Sequence, residues 1–210
     1  MNHKEKIIVI VGGSFQGKSL IALELAHRFK FSGVLTTDTI RNILKVIYPK
    51  KSYLSTSTYL LTPEELTQQC FDVSNIIFEI LPIYESRGEH VVIEGMHFTQ
   101  EIIDIFSSRG YCNIFIDNLL PFNERVIKKQ STRSNLQMRD LEVNKEAQLL
   151  KPEDIVQTRY FQYQERIEQI HNQLRQVCHQ AGFHIVTFDD IVCAKKQAAE
   201  IVNSWMQTFN

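Results

Sequence analysis

Residues 7–20 read IIVIVGGSFQGKSL, and this stretch decides the fold. The run Ile7–Val11 is entirely apolar, which predicts a strand at the centre of a sheet with both faces covered. The next eight residues, 12–19, fit the pattern G-x-x-x-x-G-K-[ST] at every defined position. A helical pattern begins at Gly17. A buried strand, a glycine loop and a helix in this order predict a P-loop, which binds the phosphates of a nucleoside triphosphate.

The chemistry of this loop depends on its glycines and on two side chains that follow them. Glycines let the backbone curl so that its N–H groups point inward at a phosphate, and the next helix adds its positive N-terminal end. Lys18 is expected to contact the β- and γ-phosphates, and the Ser19 hydroxyl to bind Mg²⁺. A glycine-rich turn that binds nothing is the alternative. The residues predicted to contact the nucleotide are Gly12, Gly13, Ser14, Phe15, Gln16, Gly17, Lys18, Ser19 and Leu20.

The nucleotide is predicted to be ATP rather than GTP. Switch proteins that bind GTP usually carry the motifs D-x-x-G and N-K-x-D. The first motif is absent from the sequence, and the stretch Asn144-Lys145-Glu146-Ala147 lacks the aspartate of the second. ATP together with Mg²⁺ is therefore the expected ligand.

Composition indicates an ordinary globular protein. The chain has 210 residues, of which 43% are apolar and 22% charged, and this predicts one domain spanning 1–210. The formal net charge of -1 does not support a broad nucleic-acid-binding surface, so nucleic acid is not an expected partner. The first apolar run is too short for a signal peptide or a membrane span, and the four cysteines form no C-x-x-C pair. We therefore expect a cytoplasmic protein that binds no membrane, and its oligomeric state is not predicted.

Apolar runs alternate with helical patterns along the whole chain. The predicted strands cover 7–11, 34–37, 91–93, 113–116 and 184–188. The predicted helices cover 17–29, 39–47, 63–87, 99–108, 122–150, 153–180 and 195–206, with a loop-like excursion at 50–62. This alternation predicts an α/β fold, a three-layer α/β/α sandwich around a parallel five-stranded sheet. Ligands of such sheets bind at the carboxyl ends of the strands, which the sequence follows with Asp38, Glu94, His97, Asp117 and Asp189.

Asp38 and Arg41 are the first candidates for chemistry beyond phosphate binding. They stand three residues apart at the start of a predicted helix, so their side chains share one face. A carboxylate on the γ-phosphate side of the loop can accept the proton of an attacking hydroxyl. The arginine can hold an anionic substrate group or the transferring phosphoryl group. In the simpler alternative, Asp38 only caps the helix and Arg41 is solvated.

Glu94 and His97 follow the predicted strand 91–93. Glu94 stands where a carboxylate can bind Mg²⁺ through water or contact the acceptor. His97 is a candidate for substrate contact or proton transfer. Both residues are predicted to contribute to the substrate site. The alternatives are a solvated acid at a strand end and a polar loop histidine.

A basic segment within residues 121–150 is predicted to form a helical lid. Cationic side chains that close over ATP would stabilise the charge of the transition state. Arg133 is the first choice for a catalytic lid arginine, and Arg125 is the second. Acidic residues are interleaved with these cations, so a solvated charged helix face is the alternative. The candidates are Arg125, Lys128, Lys129, Arg133 and Arg139, followed by Arg159 and Arg166 on the next helix.

Taken together, the motifs resemble a known family. The segments IVGGSFQGKSLIALELA at 10–26, TDTIR at 37–41 and VIEGMHF at 92–98 look like the kinase domain of 2-phosphoglycerate kinases. The segment RYFQYQERIEQI at 159–170 is similar to the region after that family's lid. The wider group includes zeta-toxin, polynucleotide and shikimate kinases, with a nucleoside monophosphate kinase-like fold. The resemblance implies ATP- and Mg²⁺-dependent phosphotransfer, with Asp38 as the base and Arg41 as its anion-binding partner.

Three functions are compatible with these predictions. The first is a small-molecule kinase that transfers the γ-phosphoryl group of ATP to a hydroxyl of a small anionic metabolite, such as 2-phosphoglycerate or a phosphorylated sugar. The second is a toxin- or repair-type kinase that acts on a nucleotide sugar or a polynucleotide end. The third is an ATP-binding regulatory module without transfer activity. The presence of both Asp38 and Arg41 favours the kinases, because a pure binding module has no evident need of that pair.

Overall fold

A computed structural model describes residues 6–137 and 160–208, and for 130–137 it describes the backbone alone. The strands are β1 Ile7–Val11, β2 Gly33–Thr36, β3 Val91–Gly95, β4 Cys112–Asn118 and β5 His184–Phe188. The helices of the described residues are α1 Lys18–Arg28, α2 Thr37–Ile47, α3 Ser52–Ser55, α4 Pro63–Arg87, α5 Gln100–Ser108, α6 Phe122–Gln137, α7 Gln164–Gln180 and α8 Ile191–Gln207. A short 3-10 helix covers Thr58–Leu60.

The five strands form one parallel sheet in the order β2-β3-β1-β4-β5. The strand that precedes the P-loop, β1, therefore lies at the centre. Its last residue, Val11, pairs with Gly95 on β3 and with Phe115 on β4. Because these strands end at the same edge, the P-loop and the residues that follow β3 lie side by side. The predicted five-stranded parallel sheet is confirmed.

Two hydrophobic cores lie on opposite faces of the sheet, and β1 contributes to both. Ile7, Val9 and Val11 pack in the core that α2, α4, α5 and α7 cover. Ile8 and Ile10 pack in the core that α1 and α8 cover. This division follows from the two-residue period of a strand, whose successive side chains point to opposite faces. The predicted three-layer α/β/α sandwich is confirmed.

Helix α4 shows how local sequence sets the bounds of an element. Its N-terminus is a capping box in which Thr62 and Glu65 each accept a hydrogen bond from the other's backbone N–H, with Pro63 in the first turn. Gly88 ends the helix in the left-handed conformation, with φ of 63°. The predicted span is confirmed. Neither α4 nor any other helix in the described part of the chain is long and apolar enough to cross a membrane.

Two predicted elements differ from the structure. The excursion at 50–62 contains helix α3 and the 3-10 helix. Within the helix predicted over 153–180, residues 160–161 are helical, residues 162–163 form a turn, and α7 then runs from Gln164 to Gln180. Two tyrosines beside the turn pack near the P-loop region. The ring centroid of Tyr160 lies 4.8 Å from that of Phe15, and the ring centroid of Tyr163 lies 5.3 Å from that of Tyr59. Residues 138–159, which include parts of this helix and of the predicted lid, lie outside the described residues.

Gly95 is a position where the fold needs a glycine. A Cβ atom there would lie 1.9 Å from Thr37 Oγ1 and 2.6 Å from Thr37 Cβ, and Thr37 is buried. We expect Gly95→Ala to lower the free energy of unfolding by about 3 kcal/mol, the upper range for overpacking a core. Gly33→Ala is the matched control, because a Cβ there meets no atom within 4 Å. Urea unfolding that gives both variants the same stability would contradict this prediction.

Candidate active site

The P-loop curls back on itself, as the motif predicts. Gly17 adopts a left-handed conformation with φ of 84°, and Phe15 does so with φ of 65°. A positive φ is uncommon for a residue with a side chain, so the loop is held in this shape by its surroundings. The Lys18 Nζ atom donates a hydrogen bond to Gly13 O at 2.7 Å. The lysine therefore folds over the loop, on the side where phosphates bind in such loops.

Ser19 and Glu94 meet beside the loop. The Ser19 Oγ atom donates to Glu94 Oε1 at 2.9 Å, and Glu94 is only 6% exposed. A hydroxyl and a carboxylate oxygen at this separation are the hard oxygen ligands that Mg²⁺ prefers, so the residues fit this ion. No cluster of three or more His, Cys, Asp or Glu side chains suited to a metal occurs among the described residues. Burial also argues against a merely solvated acid at position 94.

The charge of Lys18 is influenced both by Glu94 and by Asp38 at the start of α2. Burial lowers the pKa of Lys18, while attraction to Glu94 and then to Asp38 acts in the opposite direction. Carboxylates near an ammonium group stabilise its charged form. Glu94 at the end of β3 and Asp38 in the first turn of α2 therefore both favour the charged form of Lys18.

Asp38 is not the helix cap that the simpler alternative proposed. The cap of α2 is Thr36, whose Oγ1 accepts a hydrogen bond from the Thr39 backbone N–H at 3.0 Å. The Asp38 side chain is 73% exposed, and its Oδ1 lies 3.5 Å from Arg41 Nη2. Arg41 Nη1 donates to Thr56 O at 3.2 Å, and Arg41 Nε is buried without a hydrogen-bond partner in the described chain. Arg41 is therefore held in place, and Asp38 is open to a ligand.

His97 is buried rather than a polar residue of an exposed loop. It is 1% exposed, and its Nδ1 lies 2.8 Å from Thr37 Oγ1. Its Nε2 is buried and has no hydrogen-bond partner among the described residues. Burial lowers the pKa of His97 to about 4, with Asp38 opposing and Arg41 reinforcing the change. The ring is therefore neutral at pH 7 and can exchange hydrogen bonds but carries no charge.

The second lid candidate, Arg125, is held by contacts with neighbouring residues, and its role in a lid stays a prediction. It is 6% exposed and forms an ion pair with Glu168 on α7. Its guanidinium carbon lies 5.6 Å from the centre of the Phe122 ring. These contacts connect the start of α6 with α7. Neither of them involves Asp38 or Arg41. Arg166, another candidate, donates from Nη1 to Gln169 Oε1 at 2.9 Å on its own helix.

Lys129 is a lid candidate that contacts the P-loop. Its Nζ lies 4.6 Å from the centre of the Phe15 ring, a cation–π distance. Arg133 lies on α6, but its side chain is outside the described part, as are Arg139 and Arg159. A catalytic role for Arg133 stays a prediction.

Gln16 and Leu20 are two of the residues predicted to contact the nucleotide, and their side chains differ in their surroundings. Gln16 is 1% exposed, and its Oε1 accepts a hydrogen bond from the Asn118 backbone N–H at 2.7 Å. It therefore joins the P-loop to the end of β4, and its contribution to a phosphate would come from the backbone. Leu20 is 42% exposed in the first turn of α1.

Sequence reasoning missed His171 on α7. Its Nδ1 accepts a hydrogen bond from the Gly13 backbone N–H at 3.1 Å, across 158 residues of chain. Its Nε2 lies 3.1 Å from Asp117 Oδ1. A signal was available, because position 171 falls on the apolar helical stripe of Ile167 and Leu174. A histidine there is a buried polar residue that needs partners.

Solved structures of other proteins share the fold of this chain. The fold is similar to that of shikimate kinase from Acinetobacter baumannii in complex with shikimate, with a TM-score of 0.55, 14% identity and coverage of 98% of this chain and 96% of that one. Shikimate kinase from Bacteroides thetaiotaomicron gives a TM-score of 0.52, 12% identity and coverage of 96% and 98%. This protein has the α/β fold of the P-loop kinases, which confirms the predicted fold class.

Relatives by sequence narrow the resemblance. 2-Phosphoglycerate kinase from Methanopyrus kandleri is 28% identical over 185 residues, which are 81% of this chain and 52% of that protein. An uncharacterized protein of Dictyostelium discoideum is 31% identical over 119 residues, which are 49% of this chain and 14% of that protein. The chain thus spans about half the length of the named relative. No family model matches the chain. The resemblance to 2-phosphoglycerate kinases and the wider group of P-loop kinases is confirmed.

Proposed function

We propose that this protein is an ATP- and Mg²⁺-dependent kinase that transfers the γ-phosphoryl group to a hydroxyl of a small anionic metabolite. The observation that carries the proposal is the buried Glu94 carboxylate, whose Oε1 accepts a hydrogen bond from the P-loop residue Ser19 at 2.9 Å. Similarity to a 2-phosphoglycerate kinase over 81% of the chain supports the same class. The chain spans only 52% of that relative. The proposed activity therefore depends on the residues of this site.

The transfer step needs a base, an anion holder and a cation. As the acceptor oxygen attacks the γ-phosphorus, its proton passes to Asp38, whose exposed carboxylate is open to the acceptor. The bond between the γ-phosphorus and the β–γ bridging oxygen breaks, and ADP leaves with that electron pair. Arg41 holds the anionic group of the acceptor, and Lys18 neutralises charge on the transferring group.

Ser19 and Glu94 would hold the magnesium ion. When bound, Mg²⁺ would neutralise negative charge on the phosphate oxygens. Glu94 is buried with its Oε1 atom 2.9 Å from Ser19 Oγ, so both oxygens are fixed before any ligand arrives. Oxygens fixed in advance lose little conformational entropy on binding.

Arg41 favours an acceptor with a carboxylate or phosphate group. Its guanidinium is held by Thr56 O and lies near Asp38, and its Nε is buried without a hydrogen-bond partner in the described chain. A forked guanidinium matches such planar or tetrahedral anions with two parallel hydrogen bonds. Neutral His97 adds one more nitrogen, Nε2, that has no partner among the described residues. 2-Phosphoglycerate, named in the similar kinase, carries a carboxylate, a phosphate and a hydroxyl, and is the first acceptor to test.

The test is a panel of hydroxyl-bearing metabolites, incubated with γ-labelled ATP and Mg²⁺. We expect transfer to acceptors that carry a carboxylate or phosphate and none to neutral polyols. Arg41→Lys is expected to raise KM for the accepted metabolite about 10- to 100-fold, the loss of one charge-assisted hydrogen bond. The lysine keeps the positive charge but loses the forked pair of N–H donors that would bind the anionic group of the acceptor. KM for ATP should therefore change far less. Initial rates at varied acceptor and varied ATP measure both constants.

Arg28→Lys is the matched control, since Arg28 is an exposed arginine at the end of α1. It should leave both KM values unchanged. Equal activity on neutral and anionic acceptors would contradict the proposed acceptor class. Tight ATP binding with no transfer to any acceptor would leave the regulatory module as the function. Transfer confined to a polynucleotide end, falling steeply with salt, would identify the repair-type kinase.

A further inference from the structure

His171 lies behind the phosphate-binding loop and contacts its backbone. The buried Gly13 N–H donates to His171 Nδ1 at 3.1 Å. A nitrogen that accepts a hydrogen bond carries no proton, so the neutral ring has its proton on Nε2. That nitrogen lies 3.1 Å from Asp117 Oδ1, in position to donate. The carboxylate therefore selects the tautomer that the loop requires.

Asp117 is held as an anion at the end of β4. The hydrogen bond from His171 is the main cause that lowers the pKa of Asp117, burial opposes it, and the charge of Arg175 lowers it further. Arg175 Nε lies 3.0 Å from Asp117 Oδ2, so both carboxylate oxygens have partners. Gly13, His171, Asp117 and Arg175 are thus joined by two hydrogen bonds and an ion pair, from the loop to the surface of α7.

The contact between the loop and α7 is also sterically close. A Cβ atom on Gly13 would lie 2.7 Å from His171 Cβ and 3.2 Å from His171 Cα. The imidazole stacks on the Phe115 ring, with centroids 5.1 Å apart and planes at 29°. His171 is 3% exposed, so water cannot replace it as the acceptor for Gly13. His171 therefore holds the Gly13 N–H from behind the loop, while Lys18 contacts the Gly13 carbonyl oxygen.

We propose that His171 is a positioning residue of the phosphate-binding loop, and that Asp117 acts through it by fixing its tautomer. The bond to Gly13 holds the first turn of the loop, and the following N–H groups are aligned for the triphosphate as a result. The inference rests on the proposed function only in that the loop binds ATP. It assigns no chemistry to His171 itself.

Two nearly isosteric substitutions separate the two bonds of the ring. In His171→Asn, the amide oxygen can take the place of Nδ1 and still accept from Gly13. In His171→Gln, the amide reaches the place of Nε2 and keeps the contact with Asp117 but leaves the Gly13 N–H without an acceptor. We expect Kd for ATP, measured by calorimetric titration without acceptor, to rise about threefold in His171→Asn and tenfold or more in His171→Gln. With the accepted metabolite, KM for ATP should follow the same order, while kcat changes less.

His179→Asn and His179→Gln are the matched controls, because His179 is exposed on the same helix. Both should bind ATP like the wild type. If a His171 variant does not fold by circular dichroism, Asp117→Asn and Asp117→Leu replace the pair, since only the leucine removes the acceptor for Nε2. Equal ATP affinity of the two His171 variants, or of the two Asp117 variants, would overturn the inference. Absence of transfer from a wild type that binds ATP would contradict the proposed kinase and leave this inference standing.

Discussion

Asp38→Asn is expected to lower kcat for phosphoryl transfer by about 10²- to 10⁴-fold, the contribution of a positioned general base. Asparagine keeps the size of the side chain, but its amide cannot take up the proton that the acceptor hydroxyl must lose. ATP affinity should change little, because Asp38 is on the acceptor side and the loop itself is intact. The measurement is ADP release at saturating ATP and accepted metabolite, with calorimetric titration of ATP alongside.

The choice between Asp38 and Glu94 as the base follows from their surroundings. Glu94 is 6% exposed and accepts a hydrogen bond from Ser19 Oγ at 2.9 Å, so its oxygens are committed near the loop. Asp38 is 73% exposed at the side chain, and the cap of its helix is Thr36. An exposed acid without a capping role can be replaced with little loss of stability. The predicted activity loss is therefore separable from unfolding.

The control for Asp38→Asn is Asp104→Asn. Asp104 is exposed on α5, and its Oδ1 accepts a hydrogen bond from Gln100 within the same helix. That variant should retain wild-type kcat and Tm. If Asp38→Asn also retains wild-type turnover, the proton passes to another group and Asp38 is not the base.

The sheet could be predicted from sequence because its signals are local. The run Ile7–Val11 is apolar at every position, as a strand buried on both faces requires. Helix α4 carries its own start and stop in Thr62 and Gly88. The turn at 162–163 could not be predicted, because the periodic stripe continues through it. At this turn Tyr163 packs against Tyr59, a contact between residues distant in sequence that the stripe does not reveal.

Site residues could be predicted where they stand together in one sequence motif. They could not be predicted where the residues that they contact come from distant segments of the chain. Lys18 and Ser19 stand within a motif, so their roles could be read from spacing. The burial of His97 could not, since the residues that cover it, such as Thr37 and Ser74, belong to other elements. The ion pair of Arg125 with Glu168 could not be predicted either, since its partner lies 43 residues away in the chain.

Lys18→Met is expected to lower kcat/KM for ATP by about 10²- to 10³-fold, the cost of removing one preorganised charge from a transition state. Methionine matches the lysine stem in length and can occupy the same space, but it cannot donate to Gly13 O or neutralise a phosphoryl oxygen. Initial rates at varied ATP measure the loss. Lys45→Met is the control, because Lys45 is an exposed lysine in the last turn of α2.

The physical state of Lys18 explains why this loss should appear in the reaction and not in the stability of the protein. Burial lowers the pKa of Lys18 before a ligand binds, so the folded chain already bears a cost for the charged form. A triphosphate brings further negative charge to the ammonium group and stabilises the charged form in the complex. Lys18→Met should therefore keep a Tm close to that of the wild type. A variant that loses activity only in proportion to a lower Tm would assign Lys18 to the fold instead of to the transfer step.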